Sequence, residues 1–272
     1  MPTPVRPHLA AVLARTSHVL IGFDSVADAV RSEGTGRRLG DLMFKRGESF
    51  SLVARMLASD DDWYAIAVDR GYGREAFAMF AEAEREATAD AAPKAYVPEF
   101  LAACQESGRR VVVAGNHDQR VVRAYLKRHG LARSVDHVLC RREVFPPGVG
   151  EIAPGVGCAP GNLAAVADSA TTLWRADMEG MLRIGFEGGA DDRKFLAGTG
   201  RLILTGTGTT RADAVTAMWP VARGGLVIGH LDRIPVRPAR PGGPVVRDLA
   251  RLTEAMLTVP PESPVRRRRW WR

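Results

Sequence analysis

The sequence predicts an α/β fold: an open parallel sheet with a helical insertion after its first strand. Three observations predict it. The apolar run "HVLIGF", His18 to Phe23, ends at Asp24, as a buried strand delivering a carboxylate at its C-terminal end would. From Arg109 onward, apolar runs of strand length alternate with stretches of helical spacing. Between these regions, residues 31–95 are apolar mainly at helical intervals.

Within the insertion, "RLGDLMFKRGESFSLVARMLA" and "GREAFAMFAEAEREATADAA" both predict helices, with Gly71 and Gly73 breaking the pattern between them. The acidic run Asp60 to Trp63 would start a helix, its carboxylates favoured by the dipole, although three carboxylates also suit a metal. "VPEFLAACQESG" predicts a helix ended by Gly108, and "RRVVVAG" a buried strand. Asp118 is placed to cap the helix "QRVVRAYLKRHG", which Gly130 closes. "VDHVLC" predicts a further strand, and Pro146 to Gly161 a Gly/Pro-rich loop. "NLAAVAD", "LWRADMEGM", "LRIGF", "DRKFLAGTG" and "RLILTG" then alternate as strand, helix, strand, helix, strand.

A strand ending in a carboxylate, a helical insertion and a β/α series together make the plan of a Rossmann-like core carrying a cap. Residues 1–30 and 96–232 would form the core and 31–95 the cap. Residues 233–265 would hold a linker, "PVRPARPGGPVVRD", and a last helix, "VRDLARLTEAMLT"; residues 266–272 would be a basic tail. Ligands of such sheets bind at the carboxyl ends of the strands. Asp24, Gly115 with Asn116, and Asp168 all fall at predicted strand ends and are expected to share one crevice.

Composition narrows the class. The chain has 272 residues, 46% of them hydrophobic and 25% charged, an ordinary balance for a folded protein with a sizeable core. Cys104, Cys140 and Cys158 are scattered, which suits neither a disulfide framework nor a zinc site. No apolar run approaches the roughly 20 residues that span a bilayer, and the N-terminal segment lacks the apolar centre of a signal peptide, so a cytoplasmic protein is expected. Most of the formal charge of +7 comes from Arg266, Arg267, Arg268, Arg269 and Arg272, so the basicity belongs to the tail.

Two stretches resemble a known family. "FLAACQESGRRVVVAGNHDQRVVRAYLKRHGL" and "AVADSATTLWRADMEGMLRIGF" are similar to the second and fourth motifs of haloacid dehalogenase-like (HAD) hydrolases with a helical cap, and the likeness runs from about Val19 to Asp213. The resemblance implies a phosphatase or hydrolase that attacks phosphorus with the first of two loop-one aspartates, uses the second as acid/base and binds Mg²⁺.

Measured against that pattern, the chain has lost chemical groups. The family form "HVLLDFDG" corresponds to "HVLIGFDS", which puts Gly22 at the nucleophile and leaves Asp24 at the acid/base position; if Asp24 is taken as nucleophile instead, Val26 stands at the acid/base position. Gly115 replaces the second-motif hydroxyl, while Asn116 is kept. The third motif requires a lysine, yet none occurs between Lys127 and Lys194; Arg141 or Arg142 would replace its charge but not its position. In the fourth motif Asp168 is kept and Thr172 replaces a carboxylate. With only Asp24 and Asp168, Mg²⁺ would be held weakly.

These losses predict a catalytically degenerate protein, a pseudoenzyme that binds a partner protein or a phosphorylated ligand, with no cofactor expected. Gly115 and Asn116 would contribute to phosphate binding through the strand-end backbone. One alternative is a divergent Mg²⁺-dependent phosphatase or phosphotransferase with Asp24 as nucleophile. Another is a nucleic-acid-associated protein whose arginines, with Trp270 and Trp271, grip phosphates and stack on bases, or lie on an anionic membrane surface.

Four other features carry less. Gly115 to Asp118, "GNHD", is also found in metallophosphoesterases, but their upstream DxH and GDxxDR patterns do not occur ahead of it, so His117 is expected in the loop before the helix. "TGTGTT", Thr205 to Thr210, lacks the lysine of a P-loop and predicts a loop. "GGLVIGHLDRIPV" would add a strand or hairpin, with His230 structural. The prolines near residue 235 would make an extended connector sooner than a docking motif.

Overall fold

A computed structural model describes residues 5, 7–27, 34–50, 60–142, 149–167, 173, 176–177, 179–186, 245–246 and 249–262. Among the described residues its centre is a sheet of six strands, all parallel. In chain order the strands are β1 (His18–Gly22), β2 (Arg110–Asp118), β3 (His137–Arg141), β4 (Leu163–Ala167), β5 (Leu182–Phe186) and β6 (Val245–Val246), and across the sheet they run β3-β2-β1-β4-β5-β6. β1 is central, paired with β2 on one side and β4 on the other. The order reverses at β1, and such a switch point opens a crevice at the strand ends.

The valine and alanine runs follow from burial on both faces of the sheet. Val19, Ile21, Val111, Val113, Ala164 and Val166 face one core; Leu20, Val112, Ala114, Leu163 and Ala165 face another. The first core is closed by helices α1 (Pro7–Arg15), α6 (Val97–Glu106), α7 (Gln119–Arg128) and α9 (Leu249–Thr258), and the second by α8 (Val149–Val156). A one-residue slip of any central strand would exchange its two sets of side chains, so both cores fix the register.

Between β1 and β2 the chain makes a short helix, α2 (Phe23–Val26), then α3 (Thr35–Lys45), α4 (Asp60–Asp69) and α5 (Gly73–Ala89). These last three helices have a core of their own, built from Leu39, Met43, Trp63, Tyr64, Ala67, Ala76 and Phe80. Gly40 is required there: a Cβ at this position would lie 2.9 Å from the Trp63 indole. Asp60 is the first described residue of α4, and its Oδ1 accepts a 2.9 Å hydrogen bond from Gly36 N in the first turn of α3. The insertion leaves and re-enters the core side by side, through an Ala27 to Pro93 bridge and a 2.9 Å bond from Lys94 N to Val26 O.

Two end signals act as the sequence predicts. Asp118 caps α7, its side chain accepting from Arg120 N at 2.7 Å. Gly130, at φ 71°, takes the left-handed conformation that ends the same helix and that a β-carbon disfavours.

Three expectations need correction. Part of the stretch read as a Gly/Pro loop is helix α8, formed despite Gly150, Pro154 and Gly155 because Ile152, Ala153 and Val156 pack on the sheet. Tertiary burial overrides weak helix propensity there. Val245 and Val246, inside the stretch read as a linker, pair with Gly185 and Phe186 as a sixth strand. The final helix α9 is not set apart from the core, since Leu249, Leu252, Ala255 and Met256 are part of it.

Arg109 fastens that last helix. Its guanidinium is fully buried and donates to Met256 O at 3.0 Å, Leu13 O at 2.9 Å and Val259 O, binding the ends of α1 and α9 together. Burial holds its pKa below the usual arginine range.

Candidate functional site

Among the described residues, the C-terminal ends of β1 and β2 put Gly115 beside Phe23 and Asp24 beside His117, and β2 is irregular there. Gly115 pairs with Cys140 and Asp118 with Arg141, so Asn116 and His117 are two extra residues opposite none on β3. A bulge of this kind re-aims side chains at the end of a strand. Here it carries His117, which is 9% exposed, over α2. Its Nε2 lies 3.3 Å from Asp24 Oδ1, and its ring meets the Phe23 ring edge-on at 5.1 Å. His117 is therefore at the end of β2, not in the loop expected for it.

β1 ends on Gly22, and Asp24 stands in the first turn of α2 with its side chain 70% exposed. Gly22 has ordinary extended geometry, φ −68° and ψ 143°, and the nearest atom to a Cβ built there is Ser25 Oγ at 4.0 Å. Nothing steric requires a glycine at this position. Gly115 differs, because a Cβ there would lie 3.2 Å from His117 Nδ1 and 3.7 Å from Phe23 Cβ. Gly115 and Asn116 are both half-buried, Gly115 beside Phe23 of α2.

A group absent from the sequence reading completes the site. Glu84, on α5 of the insertion, reaches the sheet edge, where its Oε2 accepts from Asp118 N at 2.7 Å and its Oε1 from Arg141 Nη2 at 2.8 Å. Both side chains are buried, Arg141 at 0% and Glu84 at 3% exposure. The Arg141 guanidinium lies over the rings of Tyr64 at 4.6 Å, Phe77 at 5.3 Å and Phe80 at 5.7 Å. Cation–π attraction from the insertion thus adds to the ion pair. Arg142 is exposed and donates to Gln119 Oε1 at 2.6 Å.

The electrostatics follow from burial. Burial raises the Glu84 pKa, opposed by the charges of Arg141 and His117 and by the Asp118 N–H. Asp118 is also pushed up by burial, but its bonds to the Arg120 side chain and backbone outweigh this and hold it below the usual carboxylate range. The Cys140 thiol, next to Arg141, is pushed up to about 12 by burial and by the negative charges of Glu84 and Asp24. It is no thiolate nucleophile at neutral pH.

A signal for Glu84 does exist in the sequence. It stands at four-residue spacing with Ala76, Phe80 and Thr88 on the buried stripe of α5, a carboxylate where an apolar residue is expected.

Among the described residues no group of three or more His, Cys, Asp or Glu is placed to hold a metal, and the exposed Asp24 faces an imidazole, a softer donor than Mg²⁺ takes. Asp168, the second proposed metal carboxylate, lies outside the described residues, as do Thr205 to Thr210, His230 and the tail from Arg266 to Arg272. Among the described residues no helix is long and apolar enough to cross a membrane.

No family model and no curated protein matches the chain. It is similar to solved structures, among them a haloacid dehalogenase-like hydrolase from Streptococcus pneumoniae at 12% identity and TM-score 0.46, covering 68% of this chain and 91% of that one. A HAD-superfamily hydrolase from Ehrlichia chaffeensis is similar at 14% identity and TM-score 0.39, covering 63% and 87%. A HAD family hydrolase from Deinococcus radiodurans, solved with bound phosphate and sodium, is similar at 15% identity and TM-score 0.45, covering 91% and 99%.

Proposed function

We propose that the chain is a catalytically degenerate HAD-like protein that works by binding, its ligand a phosphorylated small molecule or a partner protein met at the strand ends beneath the helical cap of residues 31–95. One observation carries this reading: β1 ends on Gly22, where the motif resemblance puts the nucleophile. The carboxylate that follows, Asp24, sits two residues beyond the strand in the first turn of α2 and faces His117 at 3.3 Å. Hydrogen at the attacking position removes the covalent route to phosphoryl transfer, and the large rate enhancement that phosphate ester cleavage requires goes with it.

The neighbouring positions favour the same reading. Gly115 presents no hydroxyl to a phosphoryl group. Of the two arginines that would replace the lysine's charge, Arg141 is paired with Glu84 and Arg142 donates to Gln119. Asp118 serves as a helix cap and as the partner of Arg120.

The test is turnover of a broad panel of phosphate esters with Mg²⁺ by the full chain and by Asp24→Asn. Neither protein is expected to exceed the uncatalysed background. Activity in the natural chain that disappears in Asp24→Asn would establish a divergent phosphatase with Asp24 as nucleophile and overturn the binding reading.

A further inference from the structure

We propose that Glu84 is a built-in competitor for an oxyanion site: the Arg141 guanidinium and the Asp118 N–H form a receptor for a phosphate-sized anion, and the carboxylate of α5 occupies it until an external anion takes its place. This deepens the binding reading above and rests on it.

The arrangement around Glu84 is that of a bound anion. Each carboxylate oxygen has its own donor, a guanidinium N–H on one and a backbone N–H on the other, at 2.8 and 2.7 Å. The backbone donor belongs to the N-cap residue of α7, where the helix dipole favours negative charge. His117 is close enough to favour the charged form of Glu84.

The cation has capacity beyond Glu84 and the Tyr64 hydroxyl that also interacts with it. Arg141 is fully buried, yet among the described residues its Nε and Nη1 have no acceptor in hydrogen-bond geometry. A guanidinium offers five N–H donors in a planar fork suited to two-point recognition of phosphate, and Glu84 takes one of them. A tetrahedral oxyanion supplies more acceptor oxygens than a carboxylate, so it matches this receptor better than its present occupant does.

The competitor also stands on a part of the chain with a core of its own. Glu84 and the aromatic rings over Arg141 belong to the insertion, whereas Arg141 and Asp118 belong to the sheet. An anion arriving at the strand ends would therefore displace a contact between insertion and core, and binding would be coupled to how the two meet.

The experiment titrates the full chain with inorganic phosphate, against chloride at matched ionic strength, and follows thermal unfolding and calorimetric binding. Glu84→Ala, which vacates the receptor, is expected to bind phosphate at least about tenfold more tightly than the natural chain, because an internal competitor has been removed. Removing Glu84 leaves a buried guanidinium without its carboxylate, so Glu84→Gln, which keeps the volume and removes the charge, is measured beside it with the same expectation. Adding Arg141→Met to Glu84→Gln replaces the ion pair with neutral groups, an exchange that folds well in general, and is expected to abolish the gain.

A folded Glu84→Gln with no phosphate-specific response overturns the proposal, as does a gain that survives Arg141→Met. Phosphatase activity lost in Asp24→Asn would overturn the binding reading instead. That measurement is separate from the phosphate titration, so the two failures are distinguishable.

Discussion

A Cβ at Gly115 would lie 3.2 Å from Nδ1 of His117, so a side chain at this position fits only if the buried imidazole of the bulge gives way by a few tenths of an ångström. A Gly115→Ser substitution is accordingly expected to cost about 1 kcal/mol of stability through overpacking. His117→Ala in the same chain should remove most of that penalty. A double-mutant cycle by urea unfolding measures the coupling, and additive effects would show that the two residues do not compete for space.

Gly22 is under no such constraint. Its backbone is extended, and the nearest atom to an added Cβ is Ser25 Oγ at 4.0 Å. Gly22→Asp should therefore fold with stability within about 1 kcal/mol of the natural chain. Restoring this one carboxylate leaves Gly115 without a hydroxyl and Arg141 paired with Glu84. No Mg²⁺-dependent turnover of phosphate esters is expected in the variant. Turnover gained in the variant would show that a carboxylate at position 22 is enough to confer it.

The pH dependence of stability should carry the mark of His18 at the other end of β1. Its ring is 4% exposed, and its pKa is lowered from 6.5 to about 4, first by burial and then by Arg110 and His137, with Asp136 opposing. Between those values the unfolded chain binds a proton that the folded chain refuses. Stability should thus fall as pH drops from 6.5 to 4, by no more than about 3 kcal/mol from this residue. His137, lowered mainly by burial, acts with the same sign. Unfolding midpoints at pH 4.5 and pH 7 should differ less in His18→Asn than in the natural chain, and an unchanged difference would assign the acid sensitivity elsewhere.

How much of this was legible in the sequence depends on how local each feature is. The strands of "HVLIG" and "RVVVAG" and the cap at Asp118 are set by neighbours in the chain, and they form as predicted. The Asn116 and His117 bulge depends on pairing with β3, which no local pattern records. The Glu84 to Arg141 contact joins residues 57 apart in sequence. α8 was hidden by Gly150, Pro154 and Gly155, whose propensities oppose a helix until the sheet buries its apolar side. Gly22 and Gly115 can be read off residue by residue, whereas the carboxylate that meets Arg141 cannot.

Arg109 offers the clearest test of what holds the C-terminal helix to the core. The preceding strand-and-helix pattern marks Arg109 only as the start of an apolar run, yet its guanidinium joins the carbonyls of Leu13, Met256 and Val259. Arg109→Met keeps much of the apolar stem and leaves these three acceptors without their charged donor. The expected loss is about 3 kcal/mol, since charge-assisted bonds to buried carbonyls are worth more than neutral ones. Amide exchange should then quicken in residues 249–258 before it does in β1 and β2, because α9 loses its fastening while the sheet keeps its ladder. Uniform quickening across the sheet would mean that α9 and the sheet open as one unit, with Arg109 supporting both.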